Sequence, residues 1–184
     1  MDETQKAVQR LKRGDIGGLE TLVARCQARA VRTAFLILQD EAAAQDVVQD
    51  VYLRIYQRIR HFDESQPFEP YLLKSVVHAA LNATRARMKS VPLEGDLAEI
   101  ESLLSDGETP EAQAESNQRS QQILAALNRL SPRQRAVIVQ RYYLEMSEKE
   151  MSESLNAAPG TVKWLLNAAR ARLREILNPE RSSQ

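Results

Sequence analysis

Wherever this chain carries a periodic apolar pattern, the period is that of a helix. Val47, Val48, Val51, Tyr52, Ile55 and Ile59 form one stripe, as do Ile16, Leu19, Leu22, Val23 and Cys26. No segment alternates apolar and polar residues as a half-buried strand does. An all-α fold is therefore expected. Composition agrees, with aromatics at only 5% and an excess of residues that favour helix over sheet.

The net charge of zero hides a partition. Residues 1–90 hold 14 Lys and Arg against 11 Asp and Glu, while residues 91–118 hold 8 acids and no base. Residues 119–184 then hold 11 bases against 6 acids. Two mildly basic blocks around an acidic connector suit polyanion contact at both ends, and an ordinary solvated surface looks similar. The connector contains Pro92, Gly95, Gly107 and Pro110 and lacks periodicity, so residues 91–116 are expected to form a partly flexible linker. The flanking domains are then 1–90 and 117–184.

Within the first domain a helix is expected over Glu3–Lys12, ended by Gly14. A second begins behind an Asp15 cap, a third behind an Asp40 cap, and a fourth runs from Tyr71 to Lys89 after a break at residues 61–70. In the second domain, helicity resumes near Ser116. Ser131 followed by Pro132 signals another helix start, and Ser147 with Glu150 has the spacing of a capping box. Pro159 opens a last helix ending near Leu177. The pair Ser147–Leu155 and Pro159–Leu177 has the layout of a helix-turn-helix, with Thr161, Lys163, Trp164, Asn167, Arg170 and Arg174 turned away from the expected apolar stripe. Lys and Arg suit phosphates or guanine edges, and Asn suits adenine edges. An ordinary basic helical hairpin also fits this spacing.

Leu130–Ile138 (LSPRQRAVI), Met146–Met151 (MSEKEM) and Gly160–Lys163 (GTVK) resemble region 4 of the extracytoplasmic-function (group 4) sigma factors of the sigma-70 family. Asp46–Tyr56 (DVVQDVYLRIY) resembles the D-L-V-Q-E-x-F-L-R segment of region 2 in the same family. The resemblance implies a region 2 helical bundle and a region 4 helix-turn-helix, and a promoter-specific initiation factor for RNA polymerase. It implies that Asp46, Gln49, Asp50 and Leu53 dock the clamp helices of the largest catalytic subunit of core RNA polymerase. The flap of the other large subunit is an expected contact too.

The stretch His61–Asp63, then Pro67–Lys74 (PFEPYLLK), is similar to the family segment that melts the −10 element. Phe62, Asp63, Phe68, Tyr71, Lys74, His78, Asn82 and Arg85 are the implied −10 contacts, and Thr161, Lys163, Trp164, Asn167, Arg170 and Arg174 the implied −35 contacts. Phe62, Phe68 and Tyr71 also read as core residues, and for Phe68 and Tyr71 the core reading is favoured. In the family the linker threads the polymerase active-site channel, where its acids would mimic nucleic-acid charge, and a solubilising tether is the simpler reading of the same acids. Members of the family are commonly held by an anti-sigma factor, so that partner is expected beside core polymerase and promoter DNA.

Several positions depart from the family pattern. Ala158 stands for the usual Ser or Thr cap, Trp164 and Leu165 for Ser and Arg, Asn167 and Ala168 for His and Arg, Tyr71 for Trp and Val77 for Arg. Trp164 suits a sugar or a thymine methyl in one reading. A packing role, against a neighbouring helix or a protein inhibitor, is favoured in another. A sigma-like adaptor or decoy that binds polymerase or a regulator without reading a promoter remains the alternative.

Enzymatic chemistry finds no support. His61 and His78 lack a second ligand set and Cys26, the one cysteine, lacks a nearby His in sequence. Phosphate-binding glycine loops are missing. No catalytic residue, metal or cofactor is expected, and Cys26 reads as a buried thiol. No apolar run reaches the roughly 18 residues of a membrane span. A soluble, cytoplasmic protein with no membrane insertion is the expectation.

Overall fold

The structure, a computed structural model, describes residues 2–87 and 110–177. Residues 88–89 of the expected fourth helix and 91–109 of the expected linker lie outside the described residues. The described residues form helices and no strand, and the chain divides into two compact units, Met1–Arg85 and Ala86–Gln184. Each is described by itself.

The first unit holds α1 (Glu3–Lys12), α2 (Gly17–Leu38), α3 (Glu41–Arg58), a single 3₁₀ turn (Ile59–His61) and α4 (Phe68–Arg87). Gly14, at φ 90°, reverses the chain after α1 in a conformation that glycine adopts without steric cost. Asp15 then acts one residue further out than expected. Its Oδ1 accepts the Gly17 N–H at 2.9 Å and its Oδ2 accepts Arg10 Nε at 2.7 Å. The Arg10 guanidinium, followed by that N–H, holds the Asp15 carboxyl below the usual carboxylate range. Asp40 caps α3 as expected, accepting the Ala43 N–H at 2.8 Å.

Leu22, Ala30 and Ile37 of α2, Val48 and Val51 of α3, and Leu72, Val76 and Val77 of α4 make the core with Ala7 and Val8 of α1. Cys26 is buried, and burial pushes its thiol up. α4 starts at Phe68, ahead of the expected Tyr71. Pro70 sits in its first turn, where no intrahelical partner exists for a backbone N–H, so a residue read as a breaker is absorbed.

The second unit holds α5 (Pro110–Asn128), α6 (Pro132–Ile138) continued by a wide π turn (Val139–Tyr143), α7 (Glu148–Leu155) and α8 (Pro159–Leu177). α5 begins at Pro110, inside the expected linker and ahead of the expected start near Ser116. Pro at the first position and a run of Glu, Ala and Gln favour helix without any apolar face, so periodicity gave no sign of it. Ser131 and Gln134 form a full capping box, as do Ser147 and Glu150.

Buried Arg135 closes the C-terminal end of α5. Its Nε donates to the Leu127 carbonyl at 3.0 Å and its Nη2 to the Leu130 carbonyl at 3.2 Å. A cation at the last carbonyls of a helix complements the dipole there. Burial lowers its pKa to about 10, which leaves it cationic at neutral pH. Among the described residues no helix is long and apolar enough to cross a membrane.

Gly18 is the most closely approached glycine of the first unit. A methyl there would press on the Ala7 carbonyl and Leu11 amide of α1, which are backbone and cannot turn aside. In an open helix Ala would be favoured over Gly by about 1 kcal/mol. Here the clash reverses that sign, and Gly18→Ala is expected to lower unfolding stability by about 1–3 kcal/mol. Urea denaturation followed by circular dichroism measures it. A stabilised variant would contradict the α1–α2 packing.

Candidate functional site

Three surfaces carry the residues singled out from sequence. The first is the outer face of α3. Because Val48, Val51, Tyr52 and Ile55 are buried, Asp46, Gln49, Asp50 and Leu53 are turned to solvent together. Leu53 is 55% exposed, an apolar side chain beside two carboxylates. Asp50 lies 3.7 Å from Arg54, with both side chains about two-thirds exposed, so the pair constrains the face little. Tyr56, 44% exposed, extends the same stripe by one turn. Sequence reasoning missed it, although it lies at i+3 from Leu53.

The second surface is a groove of about 320 Å³ between α3 and α4. Val51, Ile55 and Ala79 supply its apolar lining, and Tyr71, Lys74, His78 and Asn82 reach it from α4. The structure therefore brings four of the eight expected −10 residues together. It adds Arg54 and Arg58 from α3, which sequence reasoning left out. Their i, i+4 spacing beside the buried stripe was the available signal.

The other four are placed differently. Phe62 and Phe68 are buried, 8% and 4% exposed, with ring centres 5.8 Å apart in an edge-on arrangement. Phe62 also packs against Tyr71 at 5.0 Å. This corrects the expectation of Phe62 and Phe68 as surface contacts, since rings closed into a core present no face to a base. Asp63 is exposed and shapes the turn, accepting the Ser65 N–H at 2.9 Å. That N–H, then the Ser65 hydroxyl, holds its carboxyl below the usual range. Arg85 is exposed near the end of α4 and does not line the groove.

The loop after Phe62 is tied to α1. Lys12 Nζ donates to the Phe62 carbonyl at 3.0 Å and to Glu64 at 2.7 Å, and Gln9 donates to Glu64 at 3.2 Å. Lys12, then Gln9, holds the Glu64 carboxyl below its ordinary range. The Phe62–Phe68–Tyr71 cluster and this tether fix where α4 begins, and so where Tyr71 and Lys74 enter the groove.

The third surface is α8. Asn156 ends α7 with φ 45°, a left-handed conformation that Asn tolerates, and α8 starts at Pro159, after Ala157 and Ala158. The buried Gln140 Nε2 donates to Ser154 Oγ at 2.7 Å, joining the π turn to α7. Val162, Leu165, Leu166 and Ala169 face the core, leaving Thr161, Lys163, Trp164, Asn167 and Arg174 exposed. Leu165, standing where the family pattern has arginine, is a core residue here. Trp164 is 65% exposed, which overturns packing on a neighbouring helix as its role in the second unit. Arg170 is half-buried, with Nε donating to the Tyr142 hydroxyl at 2.8 Å.

Among the described residues no group of three His, Cys, Asp or Glu side chains is placed to hold a metal. The arrangement offers exposed charge, apolar anchors and grooves, which are means of binding.

Comparison with known proteins agrees. Residues 22–90 match the family Sigma-70 region 2, and residues 120–173 match Sigma-70, region 4. The chain is 27% identical to the ECF RNA polymerase sigma factor SigW of Bacillus subtilis, over 94% of this chain and 96% of that protein. It is 30% identical to the RNA polymerase sigma-E factor of Streptomyces coelicolor, over 89% of this chain and 88% of that protein. Its fold is similar to that of CnrH, solved in complex with the cytosolic domain of CnrY. The TM-score there is 0.65 at 21% identity, over 97% of this chain and 99% of that one. It is also similar to the sigma factor RpoE of Bartonella quintana, solved with the anti-sigma factor NepR, with TM-score 0.66 at 20% identity over 88% and 97%. The chain belongs to the extracytoplasmic-function sigma factors of the sigma-70 family, the subunits that direct RNA polymerase to promoters.

Proposed function

We propose that the three surfaces divide the work of promoter-directed initiation. The outer face of α3 docks the clamp helices of core RNA polymerase through Asp46, Gln49, Asp50 and Leu53, with Tyr56 extending the contact. The groove between α3 and α4 takes the melted −10 element, and α8 reads the −35 element. The domain boundaries follow this division. Residues 1–90 bind core and the −10 element, residues 91–116 connect, and residues 117–184 read the −35 element beside the polymerase flap. An anti-sigma factor controls the free protein, as the complexes solved for its structural neighbours suggest, and the protein acts in the cytoplasm where polymerase is.

One observation carries the reading. α3 carries an acidic and apolar stripe at Asp46–Leu53 on one side and, next to it, Arg54 and Arg58 lining a groove, with the Asp50–Arg54 pair where the two surfaces meet. A basic partner helix suits the first surface. A single strand suits the second, because a cationic channel tracks phosphates while Tyr71 offers a stacking face. Tyr71 keeps that face only in part, since Phe62 already packs against it.

Added to core polymerase, the full chain is expected to produce run-off transcripts from promoters selected by the holoenzyme, with upstream footprints. A sigma-like adaptor would bind core and leave no footprint. Asp50→Lys is expected to weaken core binding about tenfold or more, as like charge faces a basic surface, with thermal unfolding unchanged. Unaltered affinity would remove polymerase from that face. Arg58→Ala with Lys74→Ala is expected to leave core binding intact and to reduce permanganate-reactive thymines in the open complex. Full melting by the double variant would take the −10 strand out of the groove.

A further inference from the structure

Tyr142 is a large aromatic side chain, 59% exposed, that neither the core nor the surfaces above account for. The π turn explains how it comes to be there. Leu144 N–H bonds the Val139 carbonyl at 3.0 Å, five residues back, which widens this turn. Gln140 is locked inward by Ser154, and a residue two positions further on a helical path points to the opposite side. Tyr142 is therefore held outward against α8, where its hydroxyl accepts Arg170 Nε at 2.8 Å. The Arg170 Cζ lies 5.7 Å from the ring centre, close to the outer limit of about 6 Å for a cation over an aromatic face. The hydroxyl does the holding more than the ring.

We infer that Tyr142 is a positioning residue, which presents Arg170 to a phosphate of the promoter duplex beside the −35 element. With Nε engaged by Tyr142, the edge of the guanidinium left for a ligand is the end-on fork of Nη1 and Nη2, which matches a phosphate. Base edges are read mainly by the first turns of a recognition helix, here Thr161 to Trp164, and Arg170 lies well beyond them. The inference rests on the reading of α8 as the −35 element reader. Both side chains are at or near the surface, so their removal leaves the core intact. What Tyr142 contributes is the ordering of a long, otherwise mobile arginine before DNA arrives.

The test uses holoenzyme made with the full chain, a duplex enriched by that holoenzyme from a random pool, and a scrambled duplex of the same composition. Affinities are measured across a salt series, with thermal unfolding as the folding control. Arg170→Ala is expected to weaken both duplexes by a similar factor and to reduce the salt slope by about 1. Tyr142→Phe keeps the ring and removes the hydroxyl, and is expected to weaken both duplexes about two- to tenfold. In the Arg170→Ala background the same change is expected to do nothing. A Tyr142→Phe loss that persists without Arg170, or no loss where Arg170→Ala has one, would overturn the positioning role and leave α8 a DNA reader. An Arg170→Ala protein with unchanged affinity and slope would overturn both the inference and the assignment of Arg170 to DNA.

Discussion

The buried stripe of α3 governs what the first unit can present. Val48, Val51, Tyr52 and Ile55 are each removed from water, and burying a side chain of this size contributes about 1.5–3 kcal/mol. A rotation of the helix that exposed them would forfeit several such terms at once. The helix is therefore fixed about its own axis, and every remaining position is assigned a direction. Asp46, Gln49, Asp50 and Leu53 fall on the open side. Arg54 and Arg58 fall beside α4. One helix thus offers two surfaces of opposite charge, without any residue having to be held by a specific bond.

The second unit reaches the same end by polar means. Arg135 closes α5, two serine capping boxes start α6 and α7, and Gln140 ties the π turn to Ser154. A buried polar contact is costly to leave unmade, so the Arg135 and Gln140 bonds discriminate against alternative packings of short helices, while the exposed capping boxes satisfy the first N–H groups of α6 and α7. Together they place α8 with Val162, Leu165, Leu166 and Ala169 inward. Trp164 and Lys163 are then left outward by subtraction. The departure from the family pattern at Leu165 is accounted for by this packing, since that position belongs to the core face.

Local signals were legible in the sequence. Asp40, Ser131 and Ser147 act within three residues of themselves, and Gly14 acts on its own backbone, so each helix start or stop that depends on them was readable. So was the face of α3, because a stripe at period 3.6 specifies its own opposite. What was not legible depends on partners far along the chain. Phe62 and Phe68 could be base contacts or core until the neighbouring Tyr71 and the Lys12 tether decide the matter. The groove draws on two helices, so motifs read one segment at a time did not single out Arg54 and Arg58, although their i, i+4 spacing beside the buried stripe was there to be read. Helix α5 has no apolar periodicity in its first turns, so its beginning escaped a reading built on periodicity. Trp164 was legible as a residue turned away from the apolar stripe of its helix, but what it touches was not, because packing on a neighbouring helix depends on residues far along the chain.

The central claim is that α3 faces protein on one side and DNA on the other. Site-specific photocrosslinking in the promoter-bound holoenzyme tests it most directly. A crosslinking side chain placed at Gln49 is predicted to capture the largest polymerase subunit and no DNA, while one at His78 captures the non-template strand near the −10 element. Capture of DNA from Gln49, or of polymerase alone from His78, would contradict the account.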